Sequence, residues 1–123
     1  MWANLGARIV DVRPGEVVVE ATLTPEAHGF LSARGTIVHG GALAALADMA
    51  LATAAAALVK EGETVATVDL KVDFLRPGRP GRLLARAAMR KRAQHLGFSQ
   101  ATVEQEDGTV VAEARAVLAF LGA

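Results

Sequence analysis

The stretch Val38 to Val59, VHGGALAALADMALATAAAALV, constrains the fold of this chain more than any other. From Gly41 onward it consists largely of Ala and Leu, strong helix formers with no β-branched run to oppose them, so it reads as one long helix that Lys60-Glu61-Gly62 ends. A helix apolar on every side must be wrapped by protein or by lipid. Gly41 to Val59 approaches the length of a bilayer span, yet more than half of it is Ala, and a carboxylate, Asp48, lies at its middle. Ala gains little on entering lipid and a mid-depth charge is costly there, so wrapping by protein is the reading that fits.

The rest of the chain supplies the wrapping. Arg8 to Arg13 (RIVDVR) and Glu16 to Thr24 (EVVVEATLT) read as strands of a hairpin around Pro14-Gly15. Pro25 to Val38 (PEAHGFLSARGTIV) shows no sustained period and reads as a loop with one helical turn. After the helix, strands are expected at Thr64 to Leu75, Arg82 to Arg92, Phe98 to Glu106 and Thr109 to Leu121, the last two joined by the hairpin signal Asp107-Gly108. In the final strand Ala112, Ala114, Ala116, Leu118 and Phe120 share one parity while Glu113 and Arg115 take the other, as a half-buried antiparallel strand requires. Two strands, a long helix and four strands, with no repeated βα unit, give an α+β class in which one curved antiparallel sheet covers the helix. The 123 residues suit a single domain, 1–123. One sheet cannot cover every face of such a helix, so the sheet must curl and a second subunit must add cover.

Composition narrows the chemistry. Formal net charge is zero, which disfavours a whole-surface attraction to nucleic acid or an anionic membrane. The chain has no cysteine, which leaves His28, His39 and His95 as the few soft ligands and makes a metal centre unexpected. The N-terminal MWANLGARIVDVRPGE lacks the basic start and apolar run of a secretory signal, so a cytoplasmic protein is expected.

Three features could carry chemistry. Asp48 falls beside Ala44, Ala45, Leu51 and Ala52 on the helix, where an ionised carboxylate needs a hydrogen bond or partial wetting; it is either a satisfied polar spot or a general base or nucleophile in a cleft. His39-Gly40-Gly41 opens the helix, and glycines there leave backbone N–H groups unobstructed at the positive end of the dipole, where a polarised carbonyl oxygen is stabilised. No nucleophilic triad accompanies that His, and the Lys-Ser/Thr end of a phosphate-binding loop is missing. Thirdly, Arg76, Arg79, Arg82, Arg86, Arg90, Lys91 and Arg92 cluster with no acid between Asp73 and Glu104. Arg82, Arg86, Arg90 and Arg92 share a strand parity, giving either a solvated face or a site for a small phosphorylated ligand. Only five aromatic residues occur in the chain and none interleaves this run, which disfavours nucleic acid.

HGGxxxxLAD followed by an Ala-rich helix and then TVDLKVDFLRPG on the next strand resembles the hotdog-fold acyl-CoA thioesterases of the PaaI-like, phenylacetic-acid-degradation group, and the likeness runs over essentially the whole chain. The resemblance implies a sheet wrapped around a central helix, two sheets joined edge to edge in a homodimer as the minimum active unit, and commonly a homotetramer. It implies that Asp48 is the catalytic carboxylate, as general base on water or as nucleophile. It implies that the Gly40 N–H polarises the thioester carbonyl, that His39 supports that turn, and that Thr67 helps orient the attacking water. The carboxylate and the helix-start N–H would come from different subunits. Gly41 and Phe74 would contact substrate, and local charge assigns coenzyme A phosphate contacts to Arg76, Arg90 and Arg92. The expected reaction hydrolyses an aryl- or medium-chain acyl-CoA; coenzyme A is then part of the substrate, and no metal, redox cofactor, nucleic acid or membrane partner is called for. The alternatives are a hotdog module that binds acyl-CoA or an acyl carrier without turnover, and a dehydratase, which HGG…LAD fits poorly.

Overall fold

The computed structural model describes residues 2–122. Six strands form one antiparallel sheet: β1 (Arg8–Arg13), β2 (Glu16–Leu23), β5 (Thr64–Phe74), β6 (Gly81–Arg92), β7 (Leu96–Gln105) and β8 (Val110–Leu121), in the order β1-β2-β6-β7-β8-β5. A short helix α1 (Trp2–Leu5) precedes them. Between β2 and the long helix lie α2 (Pro25–His28) and a separate hairpin of β3 (Gly29–Ser32) and β4 (Gly35–Val38). The long helix α3 (Gly40–Ala56) crosses the inner face of the sheet and touches β2, β5, β6, β7 and β8.

Alternation builds the core. Val17, Val19, Ala21 and Leu23 of β2, Leu83, Ala85 and Ala87 of β6, Ala101 and Val103 of β7, and Ala112, Ala114, Ala116, Leu118 and Phe120 of β8 are buried under the helix. Many of these are alanines, as are Ala47, Ala50, Ala54 and Ala55 of α3, so the two backbones approach closely. Leu43, Leu46 and Leu51 fill the remaining space, and each fully buried leucine contributes roughly 2 kcal/mol. Gly97 marks the tightest point: a Cβ there would stand 2.7 Å from both Met89 Cε and Phe120 Cε2. This is the α+β hotdog architecture, a curved antiparallel sheet around one central helix.

Three local readings of the sequence change. The segment Pro25 to Val38 is not a loop: Thr24 caps α2 by accepting from the Ala27 N–H at 3.1 Å, and the rest pairs as β3 and β4. Helix α3 ends at Ala56, before Lys60, because Ala56 and Ala57 are exposed beyond the sheet and short alanine turns hold poorly without packing. Finally, β6 bulges between Met89 and Lys91, and this resets its parity. Arg82 and Arg86 point outward as expected, but Arg92 turns to the inner side, where it bonds the Leu58 carbonyl at 2.7 Å and both Glu63 oxygens at 2.9 and 2.8 Å.

Candidate active site

The site grows from two places on α3, its start and its third turn. His39 occupies the N-cap in an extended conformation (φ −57°, ψ 135°) and makes no side-chain cap bond. Its carbonyl accepts from Ala42 and Leu43 N–H at 3.0 and 3.4 Å. The N–H groups of Gly40 and Gly41 donate to no group of the chain among the described residues. Two free donors thus sit at the positive end of a 17-residue helix. Around Gly41 a Cβ would meet only open space, while one on Gly40 would approach the Phe74 ring at 3.2 Å. The half-exposed Phe74 therefore lies against the turn that carries these donors.

Neighbouring segments of the same chain fix this turn in place. The His39 N–H donates to the His28 carbonyl at 2.8 Å, and the Val38 N–H donates to the Gly78 carbonyl at 2.7 Å. His28 is itself buried and spent at both ring nitrogens: Nδ1 accepts from the Thr24 N–H at 2.9 Å, so Nε2 carries the proton toward the Asn4 carbonyl. The exposed His39 ring leans on Phe30 with centroids 4.7 Å apart. Sequence reasoning gave His28 no role; nothing in a lone histidine before a glycine signals that its carbonyl will hold the start of α3.

Asp48 lies two turns further along the helix and is half-buried. Its Oδ1 accepts from Thr67 Oγ1 at 2.9 Å, which brings together two of the expected site residues. The meeting depends on a bulge in β5 between Thr67 and Asp69, which leaves Val68 outside the ladder. Eight residues at 1.5 Å rise separate Gly40 from Asp48 by about 12 Å along the axis. A carboxylate and a donor that must both reach one carbonyl need to converge within about 3 Å of it. One chain therefore cannot present its own Gly40 and its own Asp48 to the same group.

The three arginines assigned to phosphate separate. Arg76 donates to the Val110 carbonyl and so braces the start of β8. Arg92 is held by Glu63 and Leu58 and lies 3.7 Å over the Phe120 ring, and its guanidinium holds the Glu63 carboxyl below its ordinary value. Its fork is filled, so a phosphate role for Arg92 is set aside. Arg90, at the β6 bulge, stays exposed on the outer face. Among the described residues no three His, Asp or Glu side chains gather where they could hold a metal ion, and no helix is long and apolar enough to cross a membrane.

Compared with known proteins, residues 35–112 match the thioesterase superfamily. The medium/long-chain acyl-CoA thioesterase YigI of Salmonella typhimurium is 30% identical over an aligned length of 99, with 66% of this chain and 61% of that protein covered; the chain spans about three fifths of that relative. Among solved structures, a thioesterase family protein from Silicibacter pomeroyi superposes with a TM-score of 0.88 at 31% identity, covering 99% of this chain and 89% of that one. The E. coli PaaI protein from the phenylacetic acid degradation operon gives 0.85 at 30% identity, covering 98% and 83%.

Proposed function

The chain belongs to the thioesterase superfamily, and from that membership we propose that it hydrolyses an aryl- or medium-chain acyl-CoA to the free acid and coenzyme A. The observation that carries the reading is the Asp48–Thr67 hydrogen bond on a helix whose own start offers two free N–H donors. In this reading the Gly40 N–H, backed by Gly41 and the His39 turn, receives the thioester oxygen and stabilises it as negative charge develops. Asp48 acts as base on a water or as nucleophile on the carbonyl carbon, with Thr67 fixing its orientation. The C–S bond then breaks and the sulfur leaves as the coenzyme A thiol after protonation; on the base route the acyl carbon keeps the oxygen of water as the free acid, and on the nucleophile route it is left as a mixed anhydride with Asp48, which a water then cleaves to the free acid and the restored carboxylate. Phe74 and Arg90 contact the substrate. Because Gly40 and Asp48 of one chain stand about 12 Å apart, each site draws Gly40 from one subunit and Asp48 from its partner, making a homodimer the least active unit; the family likeness adds a homotetramer as the expected assembly.

Thiol release from a panel of aryl and fatty acyl-CoA substrates, compared between wild type and Asp48→Asn, tests the chemistry. A large loss in the variant is expected, and equal background release from both proteins would end the proposal. Single turnover in isotopically labelled water separates the two roles of Asp48, since only a nucleophile carries the label afterwards. The shared site has its own test in Gly40→Pro, which deletes the N–H at the first helical position, where proline is tolerated and where the extended His39 already suits it. Dimers co-expressed from Gly40→Pro and Asp48→Asn chains regain about a quarter of wild-type activity if assortment is random, because half are mixed and each mixed dimer holds one intact site. No recovery would refute the division of the site between subunits. An acyl-CoA-binding module without turnover is the second reading, favoured only if acyl-CoA binds tightly and no thiol appears.

A further inference from the structure

The outer face of the sheet, away from Asp48, carries charges in two different arrangements. At one end they are neutralised within the chain: Glu20 lies 2.8 Å from Arg82 and 3.4 Å from Arg8, and Arg86 pairs with Glu104 at 2.7 Å. Toward β5 like charges stand opposite one another instead. Lys71 of β5 stands directly opposite Arg115 of β8, and Arg115 in turn is opposite the neutral Gln100 of β7. Cross-strand partners have Cβ atoms about 5 Å apart, and like charges so placed repel. Arg90, at the β6 bulge, lines the same hollow. Among the described residues none of Lys71, Arg90 and Arg115 enters an ion pair.

These three cations surround a hollow of about 410 Å³ whose other walls are Asp69, Phe98, Ser99, Gln100, Ala116 and Val117. Phe98 is 40% exposed and opposes Val117, so the two offer a flat apolar surface beside the cations. Beyond Gln100 the hollow opens into a larger groove whose lining includes Asp73 and Glu113, themselves directly opposed acids. That groove holds acids and bases in balance, Asp11, Glu16, Asp73 and Glu113 with Arg13, Arg86, Arg90 and Arg115, whereas the hollow sets three cations against Asp69 alone and is the more basic of the two.

We infer that Lys71, Arg90, Arg115 and Phe98 form a binding site for a nucleoside diphosphate. The phosphates neutralise the opposed Lys71 and Arg115 together with Arg90, by charge-assisted hydrogen bonds that arginine makes in pairs. The base stacks on Phe98, a contact that depends on a π face and not on sequence-like readout. Asp69, the one acid of the hollow, accepts from ribose hydroxyls. The cavity volume lies in the range of small-ligand sites. The inference rests partly on the hydrolase reading, since coenzyme A carries an adenosine diphosphate moiety that could occupy the site; a free nucleotide supplies the same chemistry.

The experiment titrates ADP and, separately, inorganic pyrophosphate into wild type, Arg115→Gln, Lys71→Gln and Phe98→Ala, following bound heat at two salt concentrations. Wild type binds ADP with an affinity that falls as salt rises, and each charge variant weakens it about tenfold. Phe98→Ala weakens ADP and spares pyrophosphate. Absence of ADP binding by wild type, or binding indifferent to Lys71 and Arg115, overturns the site; equal loss of ADP and pyrophosphate in Phe98→Ala overturns the stacking. Without ligand, Lys71→Gln raises Tm by removing a like-charge pair, and a lowered Tm would show that the pair is already neutralised within the chain and overturn the argument. The ratio of kcat/KM for an acyl-CoA to that for the matching acyl-pantetheine identifies the source. A fall in that ratio in Arg115→Gln assigns the site to the substrate's own nucleotide, whereas an unchanged ratio with lost ADP binding assigns it to a free nucleotide. If wild type hydrolyses neither ester yet binds ADP through these residues, the hydrolase reading fails and the nucleotide site stands.

Discussion

Thr67→Val isolates the hydrogen bond on which the catalytic reading turns. Valine keeps the shape of threonine and suits a strand equally well, so the exposed edge position on β5 should tolerate it, with Tm within about 2 °C of wild type. What is lost is the Oγ1–H that donates to Asp48 Oδ1 at 2.9 Å. A hydrogen bond to a charged group contributes about 1.5–3 kcal/mol when sheltered, and the half-buried setting of Asp48 places this one at the low end. A loss of about 1.4 kcal/mol lowers kcat/KM about tenfold. If the hydroxyl orients Asp48 for the reacting state, the fall appears in kcat with KM little changed. Thr67→Ser restores the donor and most of the rate. The assay is steady-state thiol release on the best acyl-CoA of the panel, with thermal melts as the folding control. Wild-type kcat in Thr67→Val, or a serine variant as slow as the valine one, would refute the orienting role.

The remaining predictions concern the frame. Gly97→Ala forces Met89 and Phe120 away from a Cβ that would meet both at 2.7 Å; because Phe120 is pinned under Arg92, overpacking costs about 2 kcal/mol and lowers Tm by roughly 6–10 °C, whereas a change within 2 °C would show a looser core. Glu63 is held below its ordinary 4.5 chiefly by its hydrogen bond to Arg92, so its contribution to stability is fully present above pH 4.5 and disappears as pH falls through the lowered value. Urea melts of wild type and Glu63→Gln should therefore differ at neutral pH and converge in acid; a gap that stays constant would contradict the pairing. Leu46→Ala, which opens a cavity between α3 and the sheet, should cost about 2–5 kcal/mol in the same melts, and a loss below 1 kcal/mol would mean the helix is not gripped as described.

Much of the fold was legible because the sequence repeats simple periods. The parity of Ala112 to Phe120 predicts the buried face of β8, and the Ala and Leu run predicts α3 and its need for cover. The hairpin β3–β4 was not legible: GFLSARGTIV alternates weakly, with Phe30 and Leu31 both exposed, because the hairpin stands apart from the core and no buried face disciplines its pattern. Asp48 was legible as an oddity, a charge where the helix should be oily, but its partner was visible only through the family likeness. The outer-face cations were seen as a cluster in sequence, Arg76 to Arg92, whereas the group that converges in space takes only Arg90 from that run and draws Lys71 and Arg115 from β5 and β8.

Two bulges explain why parity alone misplaced several residues. Thr67 and Phe74 are seven positions apart, so strict alternation puts them on opposite faces of β5. The extra residue at Val68 reverses the count: Thr67 faces inward to Asp48, Asp69, Lys71 and Asp73 face outward, and Phe74 faces inward again to Gly40. A single strand thereby serves a carboxylate with one residue and the helix start with another, while its charges stay on the far side. On β6 the bulge leaves Arg90 on the outer face, where alternation from Arg82 and Arg86 already puts it, and turns Arg92 inward to close the end of α3 through Leu58 and Glu63. Neither bulge contains glycine or any residue that announces one. Each is imposed by the ladder it interrupts, so the relative placement of Thr67 and Phe74, and the inward turn of Arg92, are properties of the paired sheet that a reading of isolated strands does not contain.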